Sequence, residues 1–259
     1  MDRLDSLLVK KGLVVSRTRG EYEIKNGNVL VDGKVVTKPS TKFNEDVKIE
    51  INNKLDYVSK GALKLLKAIE VFNIDLSNKV MIDIGSSTGG FSDVALRNNI
   101  KKVIAVDVGT DQFDKELQKD PRIELHENTD IRSLIIEDEI DTATIDISFI
   151  SVTKIISKLE EINPKEIVLL IKPQFECGKE ISDRYKGIPL NKDVHKTVIE
   201  SVIKSFENIG YYISGLTYSP ITGGSGNIEY LGYFTKKEYD NIIIDNIVDE
   251  AFRMFTRKD

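Results

Sequence analysis

Cysteine is almost absent: Cys177 is the only one in 259 residues, so the chain can form no internal disulfide and suits a reducing compartment, the cytoplasm. Histidine is nearly as scarce. Two histidines and one cysteine cannot assemble a typical zinc site, so no metal is expected. No apolar run approaches the roughly 20 residues that a membrane-crossing helix needs. The N-terminus also lacks the charged, apolar, small-residue order of a signal peptide. An overall positive charge is missing too, since the formal net charge is −5. Internal repeats and low-complexity tracts are not found.

What is present is ordinary for a globular protein, 40% hydrophobic and 31% charged. The length allows one medium catalytic domain and a small companion. The charge is unevenly spread. Residues 1–43 carry a net +4 and the remainder −9, which suggests a small basic module on a body with no general affinity for polyanions.

The chain is organised around Val80–Phe91, V-M-I-D-I-G-S-S-T-G-G-F. A short apolar run of buried-strand type breaks into a glycine-rich turn, and a helix follows from Phe91. Strand, turn and helix N-terminus make a nucleotide site, because glycine lets backbone approach a ligand and the helix start offers free N–H groups. A second buried strand, Lys102–Asp107, ends in an acid 24 positions after Asp83. In a Rossmann-type unit that region places a carboxylate on ribose hydroxyls. The turn lacks the dinucleotide glycine pattern, so S-adenosylmethionine (SAM) suits it better than NAD. Asp83 is expected to hold the amino-acid end through water or backbone, and Asp107 the ribose. Read alone, Asp107 is equally a strand-end acid exposed to water.

Before this stretch, Met1–Lys10 reads as a helix and Ser16–Asn26 as a second. Val29–Val31 and Val35-Val36 form a hairpin around Asp32-Gly33, and Val47–Ile51 alternates as a strand. Residues 52–57 read as a polar linker. Ser59 is expected to cap a helix reaching Phe72, with Lys60, Lys64 and Lys67 on its wet face. Beyond the turn, strands are expected at Pro121–His126, Asp141–Ile147 and Glu166–Ile171, with helical stretches near 111–119, 131–137 and 151–162. A long polar loop, Gln174–Ile188, precedes a helix at Lys192–Ile209. A strand pair, Tyr211–Tyr218 and Ile228–Thr235, is joined by residues 219–227, and a final helix, Lys237–Arg257, docks on the sheet. Alternation of this kind means a mostly parallel sheet with a closing antiparallel strand and helices on both faces. Gly85, Asp107, Asp130, Asp146 and Lys172 then share its C-terminal edge, where ligands collect. Asp130 is a candidate acceptor for the exocyclic amine of adenine.

Two sets of motifs carry a family resemblance. R-L-D-x-L-L at Arg3–Leu8, G-L at Gly12-Leu13, S-R at Ser16-Arg17, G-x-V at Gly27–Val29, V-D-G at Val31–Gly33 and K-P-S at Lys38–Ser40 resemble the alpha-L RNA-binding motif. It departs at Gly20 and Glu23, and Glu21 and Glu23 dilute the positive face of the second helix. Y-V-S-K-G-A-L-K-L at 57–65, D-I-G-S-S-T-G-G-F at 83–91, D-I-S-F-I-S at 146–151, K-P-Q-F-E at 172–176 and S-G-N-I-E-Y at 225–230 resemble the FtsJ-like ribose 2′-O-methyltransferases. End to end the chain is similar to the TlyA, or hemolysin A, family.

The resemblance implies an α/β, Rossmann-like SAM-dependent methyltransferase at residues 60–259. A small α+β RNA-binding domain at 1–55 would join it through a linker at 56–59. It implies a Lys64–Asp146–Lys172–Glu229 catalytic tetrad. The SAM pocket would draw on Asp83, Gly85, Ser86, Ser87, Gly89, Gly90, Phe91, Asp107, Val108, Asp130 and Asp146. Arg3, Lys10, Lys11, Arg17, Arg19 and Lys25 would touch RNA phosphates. The implied partner is ribosomal RNA or a ribosomal subunit, with neither DNA nor a membrane expected. The implied target is a cytidine, with large-subunit rRNA favoured because the chain begins directly at M-D-R-L-D-S-L-L. Two lysines flanked by two carboxylates can position a ribose hydroxyl and take its proton, and which lysine is the base is open. The rival readings are a membrane-active hemolysin, which needs an exposed amphipathic or spanning segment, and a noncatalytic rRNA-binding or assembly factor, which would not need the complete tetrad.

Overall fold

The computed structural model describes residues 2–14, 17–25, 27–51, 57–184, 187–188, 191–223, 226–238 and 242–256, apart from the side chains of Thr18, Arg19 and Tyr22. Met1, Ser16, Asn26, the linker residues 52–56, Ser225 and Arg257, all named above, lie outside them. The chain divides into two compact units, Met1–Asp56 and Tyr57–Asp259.

In the first unit, β1 (Asp2–Arg3) leads into α1 (Leu4–Lys10), and α2 (Arg17–Lys25) follows. The expected opening helix is therefore shorter: Asp2–Arg3 pairs with β4 (Lys42–Phe43), and the Leu4 N–H goes to Thr41. Between them β2 (Val29–Val31) and β3 (Lys34–Val35) form the Asp-Gly hairpin. Asp32 and Gly33 both adopt positive φ, as a two-residue turn that matches strand twist requires. β5 (Ile49–Ile51) pairs with the other edge of β2. Leu4, Leu8, Ile24, Val29 and Val31 form the core. Glu23 does not dilute a surface: it is buried and accepts from Asn28 Nδ2 at 2.6 Å.

The second unit starts with α3 (Ala62–Phe72), then β6 (Val80–Ile84), α4 (Gly90–Arg97), β7 (Lys102–Val106), β8 (Ile123–His126), β9 (Thr142–Ile145), α5 (Ile156–Ile162) and β10 (Glu166–Ile171). It continues through α6 (Pro173–Glu176), α7 (Lys179–Arg184), α8 (Lys192–Glu207), β11 (Tyr212–Tyr218), β12 (Tyr230–Thr235) and α9 (Ile244–Thr256). The seven strands lie in the order β11-β12-β10-β9-β6-β7-β8, with β12 alone running opposite to the other six. Strands buried on both faces need apolar residues at every position, and the chain supplies them alternately to two cores. Val80, Ile82 and Ile84 of β6 face one core, together with α8 and α9 residues such as Val198 and Phe252. Met81 faces the other, with Leu65 of α3 and Val94 of α4.

Several expected elements differ. Stretches 111–119 and 131–137 hold only 3-10 turns, at Leu117–Lys119 and Ile131–Ser133. Asp114 and Asp130 accept local backbone N–H groups there and compete with a longer helix. Segment 151–162 opens as a 3-10 turn, Val152–Ile155, before α5. The expected loop after Lys172 holds α6 and α7, with Pro173 in the first turn of α6. Ser59 is not the cap of α3: Gly61 takes the N-cap position without a side-chain hydrogen bond, and the Ser59 carbonyl accepts from Ala62 N at 3.2 Å in the turn before the helix. The final helix buries Val248, Ala251 and Phe252 and pairs Asp245 and Asp249 with Lys196 and Lys192 of α8. No helix of the described residues is long and apolar enough to cross a membrane.

Candidate active site

Chain order reverses at β6, whose neighbours β7 and β9 carry the chain to opposite sides, and a crevice opens beyond the strand ends there. The turn after β6 folds back on β7, with Gly85 N and Ser86 N both donating to Val106 O at 2.8 and 3.2 Å. Gly85 has φ +84°, and a Cβ on it would stand 2.6 Å from the Asp146 carbonyl oxygen. Only glycine fits on both counts. Asp107 ties the walls together: Oδ2 accepts from Ser87 N at 2.8 Å and Oδ1 from Gly109 N at 2.7 Å.

The resulting cleft has a volume of about 490 Å³, within the usual range for a small-molecule site. Of the residues expected in it, Gly85, Ser87, Asp107, Val108, Asp130 and Asp146 line it. Sequence reasoning missed Gln112, Thr129, Arg132, Ile147, Ser148 and Phe149, which also line it. Ser148 and Phe149 lie in the D-I-S-F run directly after β9, where the strand-end rule could have found them. Phe149 is exposed at a positive φ of 71°, an uncommon conformation for a bulky residue. Its ring packs against Phe175, with centroids 5.5 Å apart.

The other expected cofactor residues stand behind the wall. Asp83 is fully buried and accepts from Ser92 Oγ at 2.7 Å and Thr144 Oγ1 at 3.1 Å. Burial pushes its pKa up to about 6 against the lowering effect of those two hydroxyls. Gly89 is the N-cap of α4, Gly90 begins that helix beside Ser59 and Ala62, and Phe91 belongs to the core. Ser86 is buried, and its hydroxyl has no hydrogen-bond partner among the described residues. The Asp130 carboxylate accepts from Arg132 Nε and Nη2, so an adenine amine would have to share it.

Asp146 joins this cleft to a charged array. Lys64 comes from the first turn of α3, Asp146 from the end of β9, Lys172 from the end of β10 and Glu229 from the start of β12. Lys64 Nζ stands 3.2 Å from Asp146 Oδ2 and 2.8 Å from Glu229 Oε2, and Lys172 Nζ stands 2.5 Å from Asp146 Oδ1. Lys64, Lys172 and Glu229 are buried. Burial works against the Lys64 ammonium, but Asp146 and Glu229 outweigh it and raise its pKa. Burial likewise opposes the Asp146 carboxylate, while Lys64 and Lys172 prevail and hold its pKa low. Lys64 therefore bridges the Asp146 and Glu229 carboxyl groups.

Neighbours brace the array. Lys172 donates to Ser148 Oγ at 2.9 Å and Gln174 Nε2 to Glu229 Oε1 at 3.3 Å. Glu176 accepts from Ser151 Oγ at 2.6 Å and Val152 N at 2.8 Å, pinning the segment after Asp146 to α6. Gly223 lies so close to Glu229 that a Cβ there would meet Oε1 at 2.5 Å. Lys67 is not merely wet: its Nζ donates to Tyr218 O at 2.7 Å and sits over that residue's ring.

In the first unit the expected phosphate-binding cations largely have internal partners. Arg3 and Arg17 both bind the buried Asp5, at 2.7 and 3.1 Å, and hold its carboxyl well below the usual range, Arg3 most strongly. Lys10 pairs with Glu45 and Asp2, Lys11 donates to Val47 O and Lys25 pairs with Glu21. The Arg19 side chain lies outside the described residues.

Residues 57–236 match the FtsJ-like methyltransferase family model and residues 2–49 the S4 domain model. YqxC of Bacillus subtilis is 41% identical over 89% of this chain and 84% of its own length. A Campylobacter jejuni protein named 23S rRNA (cytidine-2′-O)-methyltransferase TlyA is 36% identical over 88% of this chain and 97% of its own. A solved Streptococcus thermophilus structure that carries the hemolysin name is 37% identical with a TM-score of 0.78, covering 98% of this chain and 97% of that one. The chain therefore belongs to the FtsJ-like methyltransferases, in the branch named TlyA and hemolysin A that joins an S4 domain to the catalytic fold.

Proposed function

We propose that this chain transfers a methyl group from SAM to a ribose 2′-hydroxyl of ribosomal RNA, on a cytidine, with large-subunit rRNA as the main target. The observation that carries the reading is the Lys64–Asp146–Lys172–Glu229 array, which meets the cleft at Asp146. The name of the Campylobacter relative, matched over nearly its whole length, supports the cytidine and the large subunit.

The cleft fits the cofactor. The glycine cradle at Gly85 would otherwise be filled by a Cβ, and the buried Ser86 hydroxyl lacks a partner. Asp107 keeps lone pairs for ribose hydroxyls, and Val108, Ile131 and Ile147 supply apolar walls for a base. Bound there, SAM supplies a methyl group activated on a sulfonium. The chain's own residues then align the hydroxyl and remove its proton. Lys64, bridging two carboxylates at 3.2 and 2.8 Å, orients Asp146 and Glu229 and stabilises the developing negative charge on oxygen. Lys172 faces one carboxylate and a hydroxyl, and takes the proton. The S4 domain captures RNA.

Mapping 2′-O-methyl groups in rRNA from cells with and without the gene tests the reading. Loss of methylation at a large-subunit cytidine is expected. An unchanged rRNA map would refute the activity, and loss confined to the small subunit would refute the target.

A further inference from the structure

We propose that Ser148 is a positioning residue for the base Lys172: its hydroxyl fixes the direction of the amine lone pair and carries the abstracted proton out to the cleft. The inference rests on Lys172 acting as the base in the function proposed above.

The argument starts from the shape of an amine. Lys172 Nζ is tetrahedral and its side chain is only 6% exposed. Besides the bond to its own chain, Nζ makes an ion pair with Asp146 Oδ1 at 2.5 Å and donates a hydrogen bond to Ser148 Oγ at 2.9 Å. Among the described residues no further oxygen contacts it, and the Phe175 ring centre, 5.8 Å away, is at the outer limit of a cation–π contact. When Lys172 is neutral, the hydrogen bond to Ser148 Oγ fixes one N–H and the close Asp146 carboxylate draws the other towards it, which turns the lone pair away from both oxygens. Asp146 alone would hold one N–H and leave the amine free to rotate about it. Ser148 removes that rotation.

The same contact supplies an exit. During methyl transfer the ribose O–H bond breaks and its proton goes to Lys172 Nζ. Bound SAM would supply the methyl group to that oxygen, with the carbon–sulfur bonding pair left on sulfur as S-adenosylhomocysteine. Lys172 is now an ammonium in a buried site and must lose a proton before the next cycle. Asp146 is a poor relay, because both its oxygens are already engaged, Oδ2 by Lys64 and Oδ1 by Lys172. Ser148 Oγ accepts the proton while its own hydroxyl proton passes to water, for Ser148 is exposed and lines the open cleft. Proton and charge balance, and no further reactant is needed. Phe149, the next residue, is held at positive φ, and Glu176 pins Ser151 and Val152, so the segment carrying Ser148 is braced on its C-terminal side.

The test compares wild type, Ser148→Ala, Ser148→Thr and Lys172→Ala in the full chain. The readouts are single-turnover methylation of ribosomal RNA across the acid limb of the pH profile and SAM affinity by calorimetry. Ser148→Ala is expected to slow single-turnover methyl transfer at least about tenfold, since the aim of the amine is impaired, and to slow later turnovers further, since proton exit is impaired too. SAM affinity should stay within about twofold, and Ser148→Thr, which keeps the hydroxyl, should recover most of the rate. Wild-type rates in Ser148→Ala would overturn the inference. So would a parallel loss of SAM affinity, or a threonine variant as slow as alanine, because both assign the loss to cleft shape. Lys172→Ala separates the two levels: if it still methylates, the base assignment itself fails, whereas an inactive Lys172→Ala beside a fast Ser148→Ala sinks only the role of Ser148.

Discussion

Replacing Lys64 with methionine keeps an unbranched side chain one atom shorter and removes its charge. On the surface of an amphipathic helix such a change would cost within ~0.5 kcal/mol. The structure gives a different magnitude. Lys64 bridges Asp146 Oδ2 and Glu229 Oε2 at 3.2 and 2.8 Å, and Glu229 is only 3% exposed. Removing one member of a buried ion pair strands the other charge, at a cost of about 3–5 kcal/mol. The raised Lys64 pKa contributes stability that is lost only as pH rises through the folded value, above 10.5. The lowered Asp146 pKa contributes stability present above 3.8 and lost as pH falls through its folded value. The array is therefore intact across the neutral range, and the deficit of Lys64→Met should be largest there. It should shrink on acidification, as stranded carboxylates take up protons. Urea unfolding at several pH values measures this, with single-turnover methylation alongside, where a loss on the order of a hundredfold or more is expected. Lys67→Met, which forfeits one hydrogen bond to Tyr218 O and a contact with its ring, should cost about 1 kcal/mol and keep methylation. Equal, small costs for both variants with wild-type turnover would refute the reasoning.

Gly223→Ala should lower turnover and spare SAM affinity, because the new Cβ would meet Glu229 Oε1 at 2.5 Å and displace it; kinetics with calorimetry check this. Asp83→Asn should flatten the pH dependence of stability. Folded Asp83 titrates near 6 against an ordinary 3.8, so wild-type stability falls as pH rises through that window, by about 3 kcal/mol in all. An unchanged slope in Asp83→Asn, read by urea unfolding, would contradict the assignment. Truncation immediately before Tyr57 should leave SAM affinity nearly intact and abolish methylation of ribosomal substrate. The cut belongs there because Val58 N donates to Asp93 and Tyr57 packs under Arg97; loss of SAM binding in a folded truncated chain would count against separate capture and chemistry.

Local chemistry made much of this protein legible without coordinates. Glycine at a turn, alternating apolar runs and an Asp-Gly hairpin act over a few residues, and the strand–turn–helix at Val80–Phe91, the parallel sheet and the hairpin at Asp32-Gly33 followed from them. Motif resemblance, not periodicity, singled out Lys64, Asp146, Lys172 and Glu229. Helix lengths were less legible, because aspartates such as Asp114 and Asp130 divert backbone groups at 3-10 turns, a competition that propensity does not settle. Tertiary structure alone decided which charges meet. Lys64 reaches partners 82 and 165 positions away, and Arg3 and Arg17, read as phosphate contacts, both pair with the buried Asp5. It also moved Asp83 behind the cofactor wall and brought Ser148 onto the cleft beside Lys172. The reason is physical: residue type and spacing set which groups a chain offers, but burial and the crossing of distant strand ends set which of them lose water and must find one another.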